Sequence, residues 1–148
     1  MNGRITAVCI SERKGERKTP VAAVELRADF GIVGDAHAGN WHRQVSLLAD
    51  ESIARMRAAG ADVAAGDFAE NITTSGIDLA GLPVGARLRA GSGVLLEVTQ
   101  IGKECHARCA IFDAVGDCVM PREGIFTRVL TGGLLRPGDS IAVEPVAA

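Results

Sequence analysis

The chain has 148 residues, a formal net charge of −2, 47% hydrophobic residues and four cysteines. That length fits one domain spanning 1–148, large enough to bury a core without disulfides or a structural metal. The small charge gives no general pull toward nucleic acid or an anionic membrane, and 3% aromatics without a tyrosine leave no base-stacking platform. A membrane-spanning helix needs about 20 consecutive apolar residues, and the longest apolar runs here are far shorter. With no signal-peptide core after Met1, the expected location is the cytoplasm, where cysteines point to thiol or metal chemistry before a disulfide framework.

Residues 3–10 read as an opening strand, with Ile5, Ala7 and Cys9 alternating against Arg4 and Thr6. Residues 13–18 read as a charged, solvated turn, and residues 21–26 as a second strand. Residues 31–43 are rich in Gly and Ala, follow no period and are expected to form a loop. Extended structure resumes over 44–48. Asp50 is placed to cap a helix running to Ala59, with Gly60 as its stop. Residues 70–74 read as a strand, and 87–90 with 94–100 as a hairpin across Ala90-Gly91-Ser92-Gly93. Gly85 and Gly138 each sit where a turn launches a strand. Residues 125–130 are read as a short helix before Gly132-Gly133. Many short strands joined by Gly turns predict a mainly β fold, a closed or partly closed barrel with one or two short helices and a long functional loop.

Four segments carry candidate chemistry. In Cys105-His106-Ala107-Arg108-Cys109, two thiols and an imidazole suit a soft metal, an activated thiolate or a redox pair. Zinc normally takes four ligands in paired clusters, and no second pair is recognisable. Arg108, Lys103 and His106 favour the thiolate of Cys109; Cys9 and Cys118 read as core-filling cysteines. In Gly34-Asp35-Ala36-His37-Ala38-Gly39, followed by His42-Arg43, small residues allow close backbone approach to an anion, although Gly-Asp is also ordinary turn chemistry. Glu70 and Asn71 interrupt an apolar run, so at least one needs a partner if buried. By chemistry alone a strand edge with one solvated face is the better reading there. Arg122, with Arg128 beyond it, suits bidentate phosphate recognition, and a surface pair of Arg122 with Glu123 explains it equally well.

In order along the chain, Gly31-x-x-Gly34-Asp35-Ala36-His37-Ala38-Gly39, His42-Arg43-Gln44-Val45-Ser46-Leu47-Leu48, Gly66-x-Phe68-x-Glu70-Asn71-Ile72, Arg108-Cys109 before Gly116, and Gly138-Asp139 resemble the MOSC family, the domain named for the C-terminal part of molybdenum cofactor sulfurase. The resemblance implies a barrel of the pyruvate-kinase-barrel type that receives the molybdenum cofactor, a molybdopterin carrying Mo or W. It implies Cys109 as metal ligand or persulfide site. Cys105 and His106 depart from the family pattern, which does not demand them, and are expected to act as extra ligands, or Cys105 as a resolving thiol that forms a labile disulfide with Cys109. Glu70 and Asn71 would lie beside the site. Asp35, His37, His42, Arg43, Arg108 and Arg122 would hold the pterin phosphate. Pyridoxal phosphate is not expected, because no desulfurase domain fits in the chain.

The leading expectation is a protein that carries or transfers sulfur or cofactor during molybdoenzyme maturation, with cofactor-biosynthesis proteins or molybdoenzymes as partners and no nucleic acid or membrane. A cofactor-dependent reductase of N-hydroxylated substrates is the second. A zinc-binding or structural barrel without catalysis is the third.

Overall fold

The computed structural model describes residues 2–102 and 123–145. Among these residues, eleven strands and one helix follow in the order β1 (Asn2–Ile10), β2 (Thr19–Val21), β3 (Val24–Arg27), β4 (Gly31–Ile32), β5 (Val45–Ala49), α1 (Asp50–Ala58), β6 (Ile72–Ser75), β7 (Arg87–Ala90), β8 (Val94–Ile101), β9 (Ile125–Thr131), β10 (Gly133–Leu135) and β11 (Ser140–Val143).

Strands β11-β7-β8-β9-β5-β6-β1 form a seven-stranded sheet that closes on itself where β1 pairs with β11. Closure removes the open edges that invite edge-to-edge association. One edge of β1 is shared: Asn2–Arg4 face β11, and Val8–Ile10 face β2. Every barrel pairing is antiparallel except β5 with β6. A parallel pair needs a crossover, and α1 with the segment 59–71 supplies it. A second sheet, β10-β3-β4, stands beside the barrel.

Alternation sorts the side chains between two cores. Ile5, Val8, Val45, Leu47, Leu96 and Ile125 belong to the barrel interior. Leu48 and Phe126, one residue along from Leu47 and Ile125, point the other way and meet Ile53, Val63 and Phe68 beneath α1. The wall around β5 and β9 is therefore covered on both faces.

That double burial explains one correction. Residues 125–130, expected to be helical, are strand β9. With Phe126 buried on one face and Ile125 and Val129 on the other, no alternation survives in the sequence to mark a strand. Asp50 is the first residue of α1 and not its cap; Ala49 takes the cap position without a side-chain bond. Asp50 and Glu51 favour the helix through the positive end of its dipole instead. The expected strand over 21–26 is split, since β2 and β3 belong to different sheets. The strand expected over 70–74 starts at Ile72, and the 31–43 loop opens with the two-residue strand β4. The hairpin of β7 and β8 forms with Ala90 paired to Val94. No helix among the described residues is long and apolar enough to cross a membrane.

Candidate functional site

The charged turn at 13–18 is solvated up to Arg17, but Lys18 turns inward and is buried. Its Nζ donates to Asp35 Oδ1 at 2.7 Å, to Ser11 Oγ at 2.9 Å and lies 3.0 Å from His37 Nδ1. Asp35 is equally buried. Its Oδ1 also accepts the Ser11 N–H, and its Oδ2 accepts the His37 N–H at 3.0 Å. Desolvation pushes the Asp35 carboxyl up, but the Lys18 hydrogen bond and charge, with the two backbone N–H donors, outweigh it and hold the group below its ordinary range. For Lys18 burial is the largest influence and draws its ammonium below the usual lysine range against the pull of Asp35. The His37 ring lies parallel to Trp41 at 6.2 Å between centroids, Trp41 Nε1 donates to His37 O at 2.7 Å, and Lys14 Nζ sits 4.1 Å from the centre of the Trp41 ring.

Asn71 and Glu70 are both buried, so the strand-edge reading does not hold for either. Asn71 is a bolt between three segments. Its Oδ1 accepts from the Ser46 N–H at 3.0 Å and the Ser46 hydroxyl at 3.2 Å, and its Nδ2 donates to Cys9 O at 3.1 Å. Glu70 lies under the turn at 66–70, where Oε1 accepts the Phe68 N–H at 3.2 Å and Oε2 has no partner among the described residues. Desolvation raises its carboxyl to about 7. Cys9 fills space beside it, its thiol pushed up to about 12 by burial first and by the charge of Glu70 second. An acidity that low makes Cys9 an inert thiol.

His42 meets the other side of the group formed by His37 and Trp41, its ring edge-on to Trp41 at 5.6 Å between centroids, and Arg43 follows it toward β8. The Thr99 hydroxyl donates to His42 O, and Arg43 Nε donates to Gln100 Oε1 at 3.1 Å, with the Arg43 guanidinium over the Phe126 ring at 5.1 Å. Thr99 and Gln100 close β8, and the Gly102 N–H donates to Gly124 O at 2.7 Å, which ties the ends of the segment 103–122 together. Cys105, His106, Arg108, Cys109, Cys118 and Arg122 lie outside the described residues. The root of that segment is thus fastened to Arg43 and His42. Beside it a cleft of about 400 Å³ is lined by Asn40, Trp41, His42, Glu97, Thr99 and Arg128 among others. Arg128 is bonded to Glu97 at 2.9 Å, and Glu123 is held by Ser52 and Arg55.

Of the residues singled out in the sequence, Asp35 with His37 and His42 with Arg43 are brought to the rim, whereas Asn71 and Glu70 point into the protein. Lys18, Ser11, Trp41, Thr99 and Gln100 were not singled out. Lys18 closes a run of exposed charges, and nothing in its spacing marks it as the buried member. Trp41 offered a signal, as the lone tryptophan flanked by a loop histidine on each side.

The donor set can be set against the cofactor the resemblance implies. A pterin with a phosphate needs hydrogen-bond partners at its ring edges and cations at its anionic end. Arg43 and His42 suit such a ligand, whereas the Trp41 ring carries His37 and Lys14, and the Asn40 amide donates to Asp29. Asp35 and Asn71 have their polar atoms committed to neighbouring segments, and fit as supports of the site more than as contacts. Among the described residues no cluster of three His, Cys, Asp or Glu is arranged to hold a metal ion.

Comparison with known proteins agrees with this architecture. No curated protein sequence matches the chain. Among solved structures, the YUAD protein from Bacillus subtilis superposes with a TM-score of 0.80 at 20% identity, over 99% of this chain and 98% of that one. YiiM from Geobacillus stearothermophilus gives 0.71 at 21%, over 97% and 75% of the two chains, and YiiM from Escherichia coli gives 0.70 at 17%, over 100% and 72%. At these identities the likeness speaks for the fold. The family model for the MOSC domain matches residues 34–142, most of the chain and the stretches that carry Asp35, His37, His42, Arg43, Glu70 and Asn71: the protein belongs to the MOSC domain family.

Proposed function

We propose that this protein binds the molybdenum cofactor at the rim carrying His37, His42 and Arg43, and that Cys109 handles sulfur or metal there during molybdoenzyme maturation. The observation supporting this reading is the attachment of the segment 103–122. Its root is joined through Gln100 and Thr99 to Arg43 and His42, so the thiol-bearing segment leaves the barrel beside the groups suited to an anion.

In this reading Arg43 and His42 hold the anionic end of the ligand, and the Lys18–Asp35 pair keeps the His37 loop against β1. Cys109, next to Arg108 in the chain, works as a thiolate, the form that ligates a soft metal or attacks sulfur. When bound, the cofactor supplies a metal centre for oxygen or sulfur transfer. Loading of sulfur needs a persulfide donor, R–S–SH. The Cys109 thiolate attacks its terminal sulfur, the donor's S–S bond breaks, Cys109–S–SH forms, and R–S⁻ leaves with the electron pair.

The test is substitution. Cys109→Ser is expected to abolish persulfide labelling or molybdenum retention while the fold persists, and Cys118→Ser is expected to change little. Equal loss in both variants contradicts the assignment.

A further inference from the structure

The environment of Lys18 dictates a chemical state of His37. A lysine ammonium has three N–H donors and no acceptor. The three polar atoms within reach of Lys18 Nζ are Asp35 Oδ1, Ser11 Oγ and His37 Nδ1, at 2.7, 2.9 and 3.0 Å. Each can take one proton. A neutral amine in that position would instead leave the buried Asp35 carboxylate without a counter-charge, the costlier arrangement in a desolvated site. The ammonium therefore donates to His37, and Nδ1 must present its lone pair. A proton on Nδ1 as well would set an N–H against an ammonium N–H, like charge against like charge with no acceptor between them.

The other groups around the ring hold it in that pose. Asp35 Oδ2 lies 3.8 Å from Nδ1 and accepts the backbone N–H of His37 itself. Trp41 lies parallel to the ring, 5° from coplanar orientation, and is anchored to the His37 carbonyl. Lys14, a further cation among the described residues, sits on the Trp41 ring.

We propose that Lys18 is a positioning residue that fixes His37 as a neutral imidazole with its proton on Nε2. The ring of His37 then carries its donor at Nε2 and presents no proton at Nδ1, where the ammonium of Lys18 closes the lone pair to a metal ion. The inference concerns the protein without ligand. It stands or falls separately from the cofactor reading.

The measurement is long-range nitrogen–proton NMR of the full chain with ring-labelled histidine. The chain has three histidines, and His42→Gln and His106→Gln assign the signals. His37 is expected to show a pyrrole-type Nε2 and a pyridine-type Nδ1, widely separated in shift. A pyrrole-type Nδ1 overturns the proposal. Lys18→Met removes the donor and is expected to draw the two nitrogen shifts together, as the tautomers mix, in a protein whose amide spectrum remains dispersed. An unchanged Nε2–H tautomer in that folded variant shows that Lys18 is not the cause. Should Lys18→Met fail to fold, a scalar coupling between Lys18 Nζ and His37 Nδ1 reads the same bond in the unsubstituted protein. It is expected to be present, and its absence in slowly exchanging ammonium protons overturns the proposal.

Discussion

Glu70 keeps its whole side chain inside the protein, with one carboxyl oxygen bonded to the Phe68 N–H and the other without a hydrogen-bond partner among the described residues; the backbone N–H groups of Glu70 and Gly66 offset only part of the desolvation. A charged carboxylate there lacks most of the solvation it would have in water, so the folded chain keeps the proton up to about pH 7, against 4.5 for the free side chain. Between those values the folded state binds more protons than the unfolded state. Stability is therefore fully present below about pH 4.5, falls as pH rises, and levels off above 7, by roughly 3 kcal/mol in all. Glu70→Gln is expected to remove this fall and to be more stable than the parent at pH 8. Urea unfolding at pH 5 and pH 8 reads both effects, and an unchanged pH dependence contradicts them. Asn71 is the opposite case, with donor and acceptor both matched. Asn71→Ala leaves the Ser46 N–H and the Cys9 carbonyl without their partners and is expected to cost about 3 kcal/mol in the same unfolding experiment. The sequence showed that Glu70 and Asn71 break an apolar run and that one of them needs a partner. It did not show which, because the partners of Asn71 lie 25 and 62 positions away.

Among the elements, the turn at 66–70 joins buried Glu70 to the Lys18 cluster. The Lys18 N–H donates to Gly66 O at 2.7 Å, so the same turn that covers Glu70 also seats the lysine holding Asp35 and His37. Gly66 has φ +89°, and a Cβ there would come within 2.1 Å of Lys18 O and 3.3 Å of Cys9 Sγ. Gly66→Ala is expected to destabilise the fold by about 2 kcal/mol or more, through strain and lost close approach together. Thermal unfolding measures it, and a shift within error of zero contradicts this account of the turn. Elements bounded by glycine or by a one-sided pattern, such as β1, β7 and β8, were legible from alternation. Strand β9 was not, since Phe126 is buried on its outer face while Ile125, Thr127 and Val129 are buried on the inner one, which blurs the alternation where the strand begins. The burial of Lys18 was not legible either, for its neighbours on the chain are all solvated.

For the whole molecule, closure of seven strands was foreshadowed by short strands at glycine turns, whereas the parallel β5–β6 pair and the separate β10-β3-β4 sheet depend on pairings between distant segments. The closed wall matters to function because it leaves the rim loops as the place for chemistry. One part of the rim carries Asp35 and His37, and the other carries His42, Arg43 and the root of the segment bearing Cys109. The central claim is that this rim takes a molybdenum-bearing pterin or its sulfur through that cysteine. Native mass spectrometry of the protein purified from cofactor-competent cells and from cofactor-deficient cells tests it most directly. A pterin or sulfur adduct, with the modified peptide containing Cys109, is expected in the first preparation and not in the second. Zinc bound equally in both preparations, with no adduct on that peptide, would contradict it.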